Sequence, residues 1–232
     1  MTNLIITPIY RAYDKVTELC EAIDKLTQNS YLHILVDDDS NLVEPFPVKA
    51  SKNRRILLMQ RDYSGWIHKN GGAQAMQLGY EWAHHVFIGE HPNQLPYENI
   101  FLIESDVIPL EQSWDQKMVE IKDTLPEDWA TLDVQSVDEK GNLTYPTTIS
   151  PRKGFIREDL EHMEYCDFQC SLFNPVIFES GIKFSDAPSH FDISWSKAIT
   201  EKTGRQHYRT MNLKVLHYFY QSRKYLNEIP RE

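Results

Sequence analysis

Asn99-Ile100-Phe101-Leu102-Ile103-Glu104-Ser105-Asp106 is the stretch on which the fold turns. Its first five residues form a short apolar run of the kind that fills a strand buried on both faces. The run stops directly on two carboxylates separated by one serine. Alternate residues of an extended segment point the same way, so Glu104 and Asp106 are expected to face a single cation together. Hard divalent ions such as Mg²⁺ and Mn²⁺ take oxygen ligands, often one or two carboxylates plus substrate phosphates. An acid-x-acid triplet is common, and its meaning depends on what surrounds it.

Upstream, the same junction of apolar run and polar loop recurs. Leu4-Ile5-Ile6 closes on Thr7-Pro8, Leu32 to Val36 stops at Asp37-Asp38-Asp39-Ser40, and Ile56 to Met59 forms a third run. Between the first two, Val16, Leu19, Cys20, Ile23 and Leu26 recur at helical spacing behind Asp14, which is placed to cap the helix. A second helix is expected from Ala73 to Val86, preceded by Lys69-Asn70-Gly71-Gly72, where glycines let backbone approach an anionic ligand at a helix start. Strand, helix, strand, strand, helix, strand is the rhythm of an open, mostly parallel sheet flanked by helices. Such sheets bind ligands at the carboxyl ends of their strands. Pro8–Arg11, Asp37–Ser40 and Glu104–Asp106 all fall there.

Downstream the pattern is less regular. A helix is expected from Trp114 to Leu125, a strand from Ala130 to Val134, and a loop or hairpin region over 138–165. Leu172 to Phe178 reads as extended, Ile193 to Thr203 as a helix ended by Gly204, and Leu213 to Tyr220 as a last strand or helix. Asp192 opens that helix, and its plain reading is a cap. A lone histidine such as His217 is more often a core residue than a ligand, although imidazole suits Mn²⁺-type metals beside carboxylates. The aromatic side chains of Tyr145, Phe155, Tyr165, Phe168, Phe173 and Trp195 are expected to be mostly core.

The 232 residues suit one large domain. A formal charge of −10 argues against nucleic acid as a partner. The three cysteines, Cys20, Cys166 and Cys170, read as buried thiols in a reducing compartment. No run of about 18–20 apolar residues marks a transmembrane segment, and the N-terminal residues carry no secretory pattern. The expected location is cytoplasmic, with room for a peripheral membrane association.

Taken in order, these motifs resemble the family 2 glycosyltransferases with a GT-A fold. Ile6 to Arg11 is similar to the family's opening strand and loop, and Val36-Asp37-Asp38-Asp39-Ser40 to its Val-Asp-Asp-Gly-Ser. Lys69 through Gly79 is similar to its Asn-x-Gly-x-x-x-Ala-x-Asn-x-Gly, Glu104-Ser105-Asp106 with Pro109 to its Asp-x-Asp region, and Phe191-Asp192 to its Glu-Asp pair. The resemblance covers residues 4 to about 110 well and 190 to 218 loosely. It implies a single Rossmann-like α/β domain, with 1–110 as the nucleotide-binding half and 111–232 as the acceptor side. It further implies transfer of a sugar from a UDP- or GDP-sugar, with Mn²⁺ or Mg²⁺ and usually with inversion. The acceptor hydroxyl would belong to a glycan, a lipid-linked molecule or a small molecule.

Residue by residue, the implied donor-binding set is Pro8, Tyr10, Arg11, Asp38, Gly72, Glu104 and Ser105. The implied metal ligands are Glu104, Asp106 and His217, and the implied general base is Asp192. Asp39, Lys69, Gln77, Glu104 and Phe191 depart from the family pattern, and Asp186 is the other candidate base. A nucleotidyltransferase is an alternative, but its Gly-rich basic loop is absent after the first strand. A non-catalytic nucleotide-sugar or glycan-binding relative is the other.

Overall fold

Thr2–Ile9 forms β1, with seven of its eight residues buried, which is what a near-continuous apolar strand requires. The computed structural model describes residues 2–9, 12–38, 46–59, 71–88, 97–144, 152–184 and 191–218. After β1 come α1 (Tyr13–Leu26), β2 (Ser30–Asp38), β3 (Arg54–Met59), α2 (Gly71–Ile88) and β4 (Asn99–Ile103). These strands pair in parallel in the order β3-β2-β1-β4. The second part adds β5 (Val107–Pro109), α3 (Trp114–Lys122), β6 (Trp129–Val137), β7 (Arg152–Arg157), β8 (Leu160–Met163), β9 (Cys170–Phe173), α4 (Phe191–Thr203) and β10 (Gln206–His217). One sheet runs through the described residues in the order β3-β2-β1-β4-β9-β6-β10-β8-β7, with β5 beside β10. β10 is parallel to β6, whereas β9, β8, β7 and β5 pair antiparallel.

Strand alternation divides the core into two layers. Leu4, Ile6, Ile34, Val36, Ile100 and Leu102 pack with α2 and with Trp195 and Ile199 of α4. Ile5, Phe101 and Ile103 pack on the other face with Leu19 and Ile23 of α1 and Trp114, Met118 and Val119 of α3. Helices on both faces of a largely parallel core are therefore a direct result of the apolar runs. α2 lies very close to the sheet at Gly79, where a Cβ would stand 2.8 Å from Cγ2 of Ile6 and 3.2 Å from Cγ2 of Val36.

Several local expectations are corrected. β1 does not end at Thr7-Pro8 but runs to Ile9, with Pro8 opposite Val36. Its ladder with β4 stops at Ile6, so Pro8 sits where the strand has no β4 neighbour and a missing N–H costs little. Asp14 is not the cap of α1. Ala12 holds that position without a side-chain bond, and Asp14 lies in the first turn, where its charge suits the helix dipole. β2 continues through Asp37 and Asp38. Val176 to Phe178 are not extended, because Pro175 starts a 3₁₀ helix, Pro175–Ser180, that Asn174 caps through a 3.1 Å bond from the Val176 amide. The 138–165 region contains the β7–β8 hairpin, and β10 begins at Gln206, seven residues before Leu213. Gly204 ends α4 with φ of 72°, as its position suggests. All three cysteines are free and buried.

Candidate active site

Glu104 and Asp106 do converge, though not by strand alternation. β4 ends at Ile103, and the chain then makes a tight turn in which the Val107 amide donates to the Glu104 carbonyl at 3.1 Å. Folding back into β5 brings both carboxylates to the same spot, since β5 pairs with the end of β10 and sets His217 opposite Val107. The Tyr218 amide donates to the Asp106 carbonyl at 3.0 Å and fixes the register. Nε2 of His217 then lies 3.6 Å from Oδ1 of Asp106 and 3.8 Å from Oε2 of Glu104. One ligand atom from each residue falls within 4.8 Å of the others. The imidazole is 4% and Asp106 7% exposed, while Glu104 keeps 35% of its side chain open to solvent, so the cluster is buried on one side and reachable from the other.

The electrostatics point the same way. Scarce solvation, then the charge of Asp106, then those of Asp192 and Asp167, hold the Glu104 carboxyl well above the usual carboxylate range. Oδ2 of Asp106 is buried and accepts no hydrogen bond among the described residues. A divalent cation fits both observations. It would take the unused oxygen of Asp106, offset the mutual repulsion of the acids, and accept two oxygens and one imidazole as Mn²⁺-type ions do.

Of the residues expected to bind a donor, Pro8 and Asp38 lie along the same edge of the sheet. Pro8 follows by two residues the pair Ile6–Leu102, and Glu104 follows Leu102 by the same interval, so β1 and β4 deliver them to one level. Asp37 and Asp38 end β2 beside β1 and are 4% and 6% exposed. Asp37 shares the face of Leu35 and takes the Tyr13 hydroxyl of α1 at 3.2 and 3.3 Å from its two oxygens. Asp38 shares the face of Val36, on which α2 packs. Gly72 is in the first turn of α2 rather than in a loop before it. Gln77, where the family pattern has asparagine, is engaged in packing: it donates to Glu81 at 3.0 Å and accepts from the Phe184 amide at 3.0 Å.

Ser105 occupies the turn between Glu104 and Asp106 and is partly exposed. Asp192 lies in the first turn of α4, within electrostatic reach of Glu104. Tyr10, Arg11, Asp39, Ser40, Lys69, Asn70, Tyr145 and Asp186 lie outside the described residues. Of the aromatic side chains, Tyr165, Phe168, Phe173 and Trp195 are buried, whereas Phe155 is 56% exposed.

Sequence reasoning missed Asp167, which joins the acids facing Glu104, and Arg209, which binds it at 3.2 Å. A signal existed for the second. Arg209 interrupts a strand-like run, Gln206 to Leu213, and a charge in such a run is buried only when paired.

The fold has counterparts among solved structures. A UDP complex of residues 1–349 of S. aureus TarS superposes with a TM-score of 0.61, at 11% identity over 93% of this chain. The chain has a GT-A fold. GalNAc-T7 with UDP, GalNAc and Mn²⁺ gives 0.60 at 10% identity, again over 93% of this chain. The mannosyltransferase PcManGT from Pyrobaculum calidifontis, with GDP-Man and Mn²⁺, gives 0.55 at 8% identity over the same share. This chain spans 60%, 43% and 56% of the length of these three GT-A proteins. No family profile and no curated protein matches the sequence. Among the described residues, no helix is long and apolar enough to cross a membrane.

Proposed function

We propose that this protein is a metal-dependent glycosyltransferase that moves a sugar from a nucleoside diphosphate to an acceptor hydroxyl with inversion. The observation that carries this reading is the Glu104, Asp106 and His217 cluster at the carboxyl edge of a GT-A sheet. Solved relatives of that fold bind UDP, UDP-GlcNAc or GDP-Man, two of them with Mn²⁺. Residues 1–110 form the nucleotide half and 111–232 the acceptor side. Pro8, Tyr10, Arg11 and Asp38 hold base and ribose, with Gly72 and Ser105 completing the donor set.

Glu104, Asp106 and His217 hold Mn²⁺ or Mg²⁺, which supplies positive charge against the diphosphate of the donor. Asp192 accepts the proton of the acceptor hydroxyl as its oxygen bonds to the anomeric carbon, and the bond from that carbon to the diphosphate oxygen breaks. Inversion follows from attack on the face opposite the leaving group. Hexosyl transfer within a cytoplasmic compartment, on a glycan, lipid-linked or small-molecule acceptor, completes the reading.

A thermal-shift and calorimetric screen of UDP, GDP and their sugars, with and without Mn²⁺, tests it. Stabilisation by one nucleotide only when Mn²⁺ is present is the expected result, because a ligand of the native state raises its stability. A flat response to every nucleotide would overturn it. Binding without any donor hydrolysis or transfer would instead make the chain a non-catalytic relative.

A further inference from the structure

Among the described residues, Asp167 is the acid whose charge acts on Glu104 and that the reaction above does not use, and the fold fixes it from several directions. Its amide donates to Oδ2 of Asp133 at 2.8 Å, and Asp133, on β6, also takes the Ser171 hydroxyl and the Cys166 thiol. The next residue, Phe168, has φ of 60°, a left-handed conformation that bulky residues rarely adopt. Its ring is locked among Phe173, Phe184 and Trp195, at centroid distances of 5.6, 5.7 and 5.3 Å. The Gln169 carbonyl then accepts the Glu104 amide at 2.9 Å, which ties this segment to the turn that carries the metal-type cluster. Backbone held in such a sparsely populated region by its surroundings is characteristic of ligand sites.

The side chain is fixed as firmly. Arg209 of β10 is 4% exposed and gives Nη1 to Asp167 at 3.2 Å. Its Nε and Nη2 both go to Oε2 of Glu161, at 2.9 and 2.7 Å, and Glu161 is fully buried. A buried ion pair of this kind contributes little net stability, so positioning is its better explanation. Arg209 holds one oxygen of Asp167, and carboxylate oxygens serve as hydrogen-bond acceptors. Acceptor oxygens match hydroxyl donors and not the acceptor oxygens of a diphosphate, so the ligand group that suits Asp167 is one rich in hydroxyls next to the diphosphate.

We propose that Asp167 accepts hydrogen bonds from hydroxyl groups of the donor's sugar, and that Arg209 and Glu161 position it. The assignment rests on the sugar-transfer reading above and names the residue that recognises the transferred group.

Calorimetry in Mn²⁺ with UDP, UDP-GlcNAc, GDP and GDP-mannose tests it on the wild type, Asp167→Asn, Asp167→Glu and Arg209→Lys. Loss of a charged acceptor weakens binding of the nucleotide-sugar by about tenfold to a hundredfold. The matching nucleoside diphosphate should bind Asp167→Asn as it binds the wild type. Asp167→Glu keeps the partner of Arg209 but displaces the carboxylate, so it should show the same selective loss and serves if the amide variant does not fold. Arg209→Lys should show it in weaker form. Equal loss for diphosphate and sugar, or no loss for the sugar, overturns the role of Asp167. A wild-type protein that binds no nucleotide overturns the transferase reading itself, before any variant is compared.

Discussion

Oδ2 of Asp106 is a buried acceptor that no described residue satisfies, and Asp106→Asn changes little except its charge. That variant should lose Mn²⁺-dependent nucleotide binding while its thermal midpoint holds or rises, since one of the repelling charges beside Glu104 is gone. Undiminished metal-dependent binding would remove Asp106 from the cation site. Asp192→Asn should lower turnover by about 10²–10⁴-fold with the donor dissociation constant nearly unchanged, because a general base acts in the transition state. A change in donor affinity alone would make Asp192 a binding residue. At this scale the sequence was informative wherever a polar group directly followed an apolar run, as with Glu104 and Asp106. It was silent about Asp167, whose neighbours Cys166 and Phe168 give no sign of the left-handed residue and the distant arginine that hold it.

Elements were legible where burial is two-sided and periodicity strong, and least so where a single residue redirects the chain. β4 has the bounds its apolar run suggests, whereas Pro175 turns an apparently extended stretch into a 3₁₀ helix. The contact of α2 with the sheet gives a test. Gly79→Ala would gain about 1 kcal/mol of helix propensity. Its methyl would meet the stiff, β-branched Ile6 and Val36, and overpacking of that kind costs about 1–3 kcal/mol. Urea denaturation should therefore show net destabilisation, and a more stable variant would mean the helix can lift away.

β10 gives a second test. His207 accepts the Thr131 hydroxyl of β6 at Nδ1, 2.9 Å away, and donates Nε2–H to the Ser196 carbonyl of α4 at 3.1 Å. Burial, chiefly, lowers its pKa from 6.5 to about 4. The unfolded state thus binds the proton first, and stability present above pH 6.5 is lost as the pH falls toward 4, by about 3 kcal/mol at the lower end. Asp133, raised to about 7, pulls the whole protein's profile the other way across part of that window, so the contrast between wild type and His207→Gln is the readout. The wild type should lose more stability than the variant between pH 7 and 5, and parallel curves would refute the neutral buried imidazole.

At the scale of the molecule, the parallel order β3-β2-β1-β4 follows from alternating apolar runs and helices, and the sequence conveyed it. The far half did not declare itself, because β9, β6, β10 and β8 pair across long sequence separations that no local pattern records. Their result is that β10, the last described strand, lies inside the sheet with β6 on one side and β8 on the other. A polypeptide emerging from the ribosome can therefore assemble β3-β2-β1-β4 early, but Asp106 waits for His217, 111 residues later, before its cluster is complete. Insertion of a central strand so late is a high-contact-order step, the kind that slows folding. On the proposed reading, manganese capture would be a clock for the end of folding: in a refolding experiment it should lag the recovery of helical signal, with β10 as the closing event.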